Sequence, residues 1–192
     1  MKTLKKQKSG NNLNTFIAFL RGINVSGQKK IKMTDLKQHF EELNFQNVIT
    51  YIQSGNIIFQ TKIKDINKLE KSISNKINEH YGFDVEVIIK TISELEYIIN
   101  NNPFIKQKKD PNKIYLTFLH SFPKMENINK LKETNYSPEE YSIDNKNIFF
   151  FAPNGYGKAK MNNNFFEKKL KLIATTRNWK TVNKLYDLSL NN

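Results

Sequence analysis

Apolar positions along the first half of the chain predict a sheet of four strands with helices between them. Residues 15–20 form a nearly continuous apolar run, which is typical of a strand buried on both faces. Further along, apolar residues recur every three or four positions, which is typical of amphipathic helices. The predicted elements are a strand at 15–20, a helix capped by Thr34, strands at 48–51 and 57–59, a helix opened by Asp65, a strand at 85–89, and a short helix with Ser93 and Glu96 as its capping box. The order β-α-β-β-α-β is ferredoxin-like.

The second half of the chain begins the same order of elements again. Residues 100–113 contain two prolines, three consecutive asparagines and a lysine run, a composition that marks a boundary between two units. After this boundary the pattern predicts a strand at 114–119, a helix at 125–131, strands at 141–143 and 148–151, a helix at 164–172, and a closing helix that carries Val182, Leu185 and Leu188. We therefore predict an α+β fold of two ferredoxin-like subdomains packed together, at 15–101 and 113–192, after a disordered basic tail at 1–14.

Composition restricts the class of protein. With 38% hydrophobic residues the chain can bury a core, but no apolar run approaches the roughly 20 residues that a membrane helix needs. The first residues lack the apolar segment of a secretory signal, so we expect a cytoplasmic protein with no membrane partner. The absence of cysteine excludes disulfides, thiolate metal sites and a cysteine nucleophile.

The formal net charge of +13 is concentrated in three segments, at 1–14, 21–33 and 153–184. Such an excess of positive charge indicates an anionic partner, with nucleic acid foremost, or a phosphorylated small molecule. The lysines also have a plainer interpretation, because a genome rich in A and T encodes many of them and lysines on helix faces are usually only solvated. Charge alone leaves both interpretations open.

Arginine is more informative than lysine in this chain. Only two of the 31 basic residues are arginines, Arg21 and Arg177, and both lie in glycine- and asparagine-rich stretches. The planar guanidinium grips a carboxylate or phosphate through two parallel hydrogen bonds, whereas lysine is a point charge on a flexible stem. The two arginines are therefore the best candidates for a specific anion contact or for a structural clamp.

Polar, glycine-containing loops beside the arginines predict an anion site. Glycines in the loop at 21–33 can turn backbone amides outward, and the loop at 153–160 combines an aromatic ring with lysines. The candidate ligand-binding residues are Arg21, Gly22, Asn24, Gly27, Lys29, Gln53, Ser54, Asn56, Tyr156, Gly157, Lys158, Arg177 and Asn178. The alternatives stay open: each loop can be an ordinary connection, Arg21 can pair with an acid, and Trp179 is more often a core residue than a stacking platform.

Other kinds of site find little support in the sequence. His39, His80 and His120 have no second histidine at metal-ligand spacing, so we predict no metal and no cofactor. The motif loops contain no carboxylate that could act as a general base or hold Mg²⁺. No catalytic residue is assigned, although a Ser–His–Asp arrangement can assemble in space from distant residues.

The motifs resemble those of a known bacterial family. A similarity to the bacterial domain-of-unknown-function family sixteen-ninety-seven rests on the segments at 20–25 (LRGINV), 51–56 (YIQSGN), 155–157 (GYG) and 176–179 (TRNW), which occur in order over nearly the whole chain. The resemblance implies a compact α+β protein of two ferredoxin-like subdomains, and it implies no activity. Ala159 stands where the family tends to have Ser or Thr, so any chemistry of that hydroxyl would be missing here.

Three hypotheses for the function follow. The first is a module that binds nucleic acid or a nucleotide through a positively charged Gly/Asn-rich surface, with binding that weakens steeply as salt rises. The second is an enzyme acting on a small phosphorylated or carboxylated metabolite, in which the arginines stabilise charge and Tyr51 or Tyr156 transfers a proton. The third is that the motifs only clamp the subdomains together. We favour the first, while the ligand and the oligomeric state stay open.

Overall fold

The computed structural model describes residues 13–25 and 27–192. The predicted tail at 1–14 lies outside the described residues as far as residue 12, and Asn14 already belongs to the first strand. The strands are β1 (Asn14–Leu20), β2 (Gln46–Tyr51), β3 (Asn56–Thr61), β4 (Val87–Thr91), β5 (Ile114–Leu119), β6 (Glu140–Asp144), β7 (Asn147–Phe151) and β8 (Ala174–Asn178). The helices are α1 (Met33–Glu42), α2 (Ile66–Tyr81), α3 (Ile92–Asn101), α4 (Pro103–Lys106), α5 (Met125–Lys132), α6 (Asn163–Leu170) and α7 (Trp179–Leu190).

The strands form two sheets of four, and each sheet has the strand order of a ferredoxin-like fold. The first sheet is ordered β2-β3-β1-β4 and the second β6-β7-β5-β8, with neighbouring strands antiparallel. Each half follows the order β-α-β-β-α-β. The predicted α+β fold of two packed ferredoxin-like subdomains is therefore confirmed. The subdomain limits at residues 101 and 113 remain a prediction. The two halves are in contact, since α3 of the first half packs against α7 of the second.

Alternation within β1 explains why this strand is apolar on both faces. Phe16 and Leu20 point toward the core beneath α1 and α2, whereas Ile17 and Phe19 point toward the second sheet. There Phe19 stacks on Phe118 of β5, with 4.2 Å between the ring centroids. The layer between the sheets also contains α3, α4 and α7, while α5 and α6 cover the outer face of the second sheet. Both faces of each sheet are thus covered.

The last strand was not expected from the sequence. No strand is assigned to residues 174–178 from the sequence; the segment, ATTRN, is polar and lacks an apolar alternation. The structure nevertheless pairs it with β5, and it buries Thr175 and Arg177. Buried polar side chains are stable in a strand when they find hydrogen-bond partners. Here Arg177 donates to Thr175 in its own strand and to acceptors in the first half of the molecule.

Two predicted helix caps were wrong. The first helix begins after Lys32, which makes no side-chain cap, and not at Thr34. The capping box of α3 is formed by Thr91 and Glu94, two residues before the predicted pair. Pairing with β1 explains the shift, because it extends β4 as far as Thr91 and so fixes where α3 starts. None of the helices in the described residues has the length and apolarity to cross a membrane.

The turn between β2 and β3 packs tightly against the end of β1. The amide of Leu20 donates to the carbonyl oxygen of Gly55 at 2.8 Å. Gly55 has a φ of +74°, and a Cβ on it would lie 2.8 Å from Leu20 Cβ and 2.9 Å from Ile23 Cδ1. Only glycine fits both the left-handed backbone and the close approach. This contact holds the turn beside the loop that follows β1.

Replacement of Gly55 by alanine is expected to lower the free energy of unfolding by about 3 kcal/mol, from backbone strain plus overpacking. Gly82→Ala is the matched control, since Gly82 also has a positive φ (+71°) but a Cβ on it would meet no atom within 4 Å. That variant should lose only about 1 kcal/mol. Urea unfolding measures both losses, and equal losses would contradict the steric argument.

Candidate functional site

Arg177 in β8 reaches from the second sheet into the first half of the molecule. Its Nη2 donates to the carbonyl oxygens of Leu20 at 2.9 Å, Ser54 at 2.8 Å and Gly55 at 3.3 Å. Its Nε donates to Asn56 Oδ1 at 2.5 Å. One guanidinium therefore joins β8 to the end of β1 and to the turn that precedes β3.

The rest of the guanidinium is bonded within its own half. Nη1 donates to Thr175 Oγ1 at 2.7 Å and to the carbonyl oxygen of Thr176 at 2.9 Å. Every nitrogen of Arg177 thus has an acceptor, and none of these acceptors is a carboxylate. Burial lowers the pKa of Arg177 to about 10, so the side chain keeps its charge at neutral pH. The structure therefore holds a buried positive charge that only neutral dipoles compensate.

Arg21 forms the reciprocal contact from the first half to the second. Its Nε and Nη2 donate to the two carboxylate oxygens of Glu167 in α6, at 2.6 Å and 2.5 Å. The hydrogen bond to Glu167 raises the pKa of Arg21 above its ordinary value. Glu167 is itself held by the amide of Ala174, which donates to it at 2.8 Å. Pairing with an acid, one of the two alternatives for Arg21, is what the structure shows.

Two asparagines hold the motif loops together. Asn24 Nδ2 donates to the carbonyl oxygens of Ile31 and Gln53, each at 2.9 Å, and Asn24 Oδ1 accepts from the amide of Ile31. Asn56 is fully buried, and its Nδ2 donates to Ser54 Oγ at 2.9 Å. The side-chain amides of Asn24 and Asn56, which the sequence indicated as ligand contacts, are therefore occupied inside the fold, where they position the loops.

A cleft of about 370 Å³ lies between the two halves and is bordered by both arginines. One wall is the loop after β1, and the other is built from β8, the start of α6 and the short turn at 156–158. The lining residues are Arg21, Gly22, Val25, Tyr156, Asn162, Asn163, Asn164, Thr175, Thr176 and Arg177. The two arginine contacts described above fix how far apart these walls stand.

The polar groups of this interface cleft include unused hydrogen-bond donors. The Tyr156 hydroxyl accepts from the amide of Asn163 at 2.9 Å, which leaves its own proton to donate. Two further donors have no acceptor within the described residues. They are Nη1 of Arg21 and the backbone N–H of Asn164, at the start of α6. Within residues 13–25 and 27–192, no carboxylate, imidazole or lysine belongs to the lining. The cleft therefore offers donors and positive charge, the complement of an anion.

Most of the predicted site residues lie elsewhere. The structure brings Arg21, Gly22, Tyr156 and Arg177 to the cleft, but the lining does not include Asn24, Gly27, Lys29, Gln53, Ser54, Asn56, Gly157, Lys158 or Asn178. Asn178 caps α7, because its Oδ1 accepts from the amide of Thr181 at 2.7 Å. Lys29 donates to the carbonyl oxygen of Asp84 at 2.5 Å. Trp179 belongs to the core between the sheets.

Sequence reasoning missed six lining residues. These are Val25, Asn162, Asn163, Asn164, Thr175 and Thr176. The three asparagines were a usable signal, because a run of them directly before an apolar helix places capping groups and free amides at one point. The threonines lie beside Arg177, and Thr176 belongs to the TRNW motif, but neither was assigned to the site because their strand was not recognised.

A larger groove, of about 790 Å³, lies beside α4, α5 and β6. It contains none of the predicted site residues, and its carboxylates already have partners. Glu139 accepts from the amides of Lys160 and Met161 at 2.7 Å and 2.8 Å, and Glu140 pairs with Lys109 at 2.7 Å. The interface cleft is therefore the better candidate, despite its smaller volume.

Comparison with known proteins assigns the chain to a family. The model of the family described as "Protein of unknown function (DUF1697)" matches residues 13–149, well over half of the chain. The chain belongs to this family. The family match covers the loop after β1 and the β2–β3 turn, and it ends before Tyr156 and Arg177. Membership confirms the resemblance seen in the motifs and brings no activity with it.

A solved structure supports the fold. The chain is similar to the conserved bacterial protein SP0830 from Streptococcus pneumoniae, with a TM-score of 0.73 and 23% sequence identity. The similarity covers 92% of this chain and 99% of that one. At this level of identity the likeness shows the shared architecture alone. No curated protein matches the chain.

The hydrogen bonds of Arg177 predict a large loss of stability on conservative substitution. Arg177→Lys is expected to lower the free energy of unfolding by about 3 kcal/mol, because an ammonium cannot serve all of these acceptors and buried carbonyl groups lose their donors. Guanidinium chloride unfolding measures the loss.

Arg21→Lys is the control for this substitution. The Arg21 side chain is 33% exposed, and a lysine there can still pair with Glu167. Its loss should stay below about 1 kcal/mol. A loss for Arg177→Lys of less than about 0.5 kcal/mol, the range of neutral surface substitutions, would contradict the clamp.

Proposed function

We propose that this protein is an anion-binding module and that its interface cleft takes a small ligand of nucleotide size. The observation that carries the proposal is the imbalance of the lining, in which donors without acceptors occur beside two arginines and no carboxylate. Donors of this kind bind phosphate and carboxylate oxygens more strongly than neutral acceptors, because the hydrogen bonds are charge-assisted.

The charge at the cleft favours the same ligand class. The charge of Arg21 is neutralised by Glu167, whereas Arg177 has no acidic partner among its hydrogen-bond acceptors. The amino end of α6 adds the positive end of a helix dipole beside Asn164. An anion in the cleft would therefore supply the counter-charge that the fold leaves out.

The size of the cleft argues for a small molecule rather than a nucleic-acid helix. A volume of about 370 Å³ lies near the lower end of ligand-binding pockets, which run from roughly 300 to 1,000 Å³. Recognition of single-stranded RNA on an open ferredoxin-like sheet needs a bare sheet face. In this protein both faces of each sheet are covered, so nucleic acid would meet only the lysine-rich exterior.

The cleft offers little for catalysis. Tyr156 is the single group in the lining that could transfer a proton readily, and Tyr51, the other tyrosine considered, is not in the lining. Arg21 and Arg177 are held by the fold, so their structural role and the proposed binding role coexist. The two arginines hold the walls of the cleft in place and make the cleft electrostatically positive. The hydrogen-bond donors that have no acceptor in the fold bind the ligand. We therefore propose binding in preference to an enzymatic reaction.

A carboxylate introduced at the start of α6 should weaken anion binding without harming the fold. Asn164 is exposed, lines the cleft and occupies the second position of the helix, where Asp is favourable. We expect Asn164→Asp to raise the Kd for a bound nucleotide about tenfold, through repulsion of roughly 1.4 kcal/mol. Isothermal titration with inorganic phosphate, pyrophosphate and a panel of nucleoside mono- and triphosphates measures this Kd.

Asn67→Asp is the matched control, because Asn67 occupies the same exposed position of α2 and lies outside the cleft. Its Kd should stay within about twofold of the unmodified protein. Fluorescence anisotropy with labelled single-stranded RNA and duplex DNA at two salt concentrations tests the lysine-rich exterior. Equal effects of both substitutions, or binding of oligonucleotides alone, would contradict a cleft site, as would the absence of any bound small anion.

A further inference from the structure

A second cluster of reactive side chains lies where the ends of α1 and α2 meet. His39 and Glu42 come from the last turn of α1, and His80 comes from the last turn of α2. One nitrogen of each imidazole and one carboxylate oxygen of Glu42 lie within 4.8 Å of one another. His39 Nδ1 is 3.5 Å and His80 Nε2 is 3.9 Å from the same oxygen, Glu42 Oε2. Three potential metal ligands thus converge on one point.

In each histidine, the ring nitrogen that does not face Glu42 has a hydrogen-bond partner, as is usual in metal sites. His80 Nδ1 donates to the carbonyl oxygen of Lys76 at 3.0 Å, which places its proton there and leaves the lone pair on Nε2. His39 Nε2 lies 3.2 Å from the Tyr81 hydroxyl, and a proton on Nε2 leaves the lone pair on Nδ1. Metal-bound histidines almost always have such a partner on the second nitrogen, because it fixes the tautomer and orients the ring.

The two imidazole rings are unusually close to each other. Their centroids are 4.1 Å apart, and His39 is largely buried whereas His80 has 38% of its side chain exposed. Two protonated imidazoles at this separation would repel each other, but two neutral ones can share a cation. Each residue also lies at the carboxyl end of a helix, where the helix dipole favours positive charge.

We propose that His39, Glu42 and His80 form a binding site for one divalent transition-metal ion, of which Zn²⁺ is the best match. Two imidazole nitrogens and a carboxylate oxygen are a ligand set that Zn²⁺ takes, with bonds of about 2.0–2.2 Å. Tetrahedral bonds of that length put ligand atoms about 3.3 Å apart. The two separations from Glu42 Oε2, 3.5 Å and 3.9 Å, and the limit of 4.8 Å between the two imidazole nitrogens are longer than this value, so the side chains must move closer together to bind the ion.

Lys76 is the competitor for this site. Its Nζ lies 2.8 Å from Glu42 Oε2, the oxygen on which the histidines converge. The ammonium group of Lys76 therefore already places a positive charge beside this carboxylate, at the point where a metal ion would bind. A metal ion must displace the ammonium group, which predicts that removal of the lysine charge strengthens metal binding.

The test uses the full-length chain without an affinity tag, stripped of metal by EDTA. Titration with Zn²⁺, monitored by calorimetry and by the visible bands of Co²⁺ as a substitute, should give one ion per chain. His80→Ala and Glu42→Gln should each raise the Kd at least tenfold, whereas Lys76→Met should lower it several-fold. Thermal melting in EDTA checks that each variant is folded.

His120→Ala is the matched control, because His120 forms a separate pair with Glu70, with 3.5 Å between Nε2 and the carboxylate. It should leave the stoichiometry and the Kd unchanged. Binding that His120→Ala weakens as much as His80→Ala does would overturn the proposal, as would no shift with Lys76→Met or no ion bound at micromolar Zn²⁺. None of these residues lines the interface cleft, so the outcome is independent of anion binding.

Discussion

The relative placement of the two sheets depends on the buried guanidinium of Arg177. Much of the layer between the sheets is apolar, with Phe19 stacked on Phe118. Apolar contacts are strong in sum but carry little direction, so they would tolerate small slides of one sheet over the other. Hydrogen bonds from one planar group to Leu20, Ser54 and Asn56 do not tolerate such slides, because each bond requires a particular distance and angle. Arg177 therefore converts a non-directional apolar interface into a defined one.

The clamp and the cleft are consequences of the same arrangement. Arg177 reaches from the second half into the first, and Arg21 reaches from the first half to Glu167 in the second. Together they leave a gap between the loop after β1 and the start of α6. Arg177 uses all of its donors within the fold, whereas Arg21 keeps Nη1, so the two chemically alike residues contribute differently. Arg177 supplies a buried positive charge. Arg21 forms part of the cleft wall and keeps a hydrogen-bond donor there.

Positive charge in this protein is abundant, yet the amount of charge says little about the site. The net charge of +13 comes almost wholly from lysines, and none of the lysines that the structure describes lines the interface cleft. The predicted contact Lys29 is bound to a backbone carbonyl oxygen, and Lys76 is held by Glu42. Our two proposals therefore rest on the arginines of the cleft and on the histidine cluster at the ends of α1 and α2, and not on the number of lysines.

The sequence by itself determined the fold class, since hydrophobic period is a local property and the order of strands and helices follows from it. It also singled out Arg21 and Arg177, because a chain that uses lysine elsewhere keeps arginine where a planar fork is needed. It did not reveal β8, whose buried Arg177 depends on hydrogen-bond acceptors in both halves of the protein. The partner of each arginine, the asparagine wall of the cleft and the meeting of His39 with His80 were likewise decided by tertiary structure. These contacts join residues far apart in the chain, and only the packing of two sheets and their helices brings them within bonding distance.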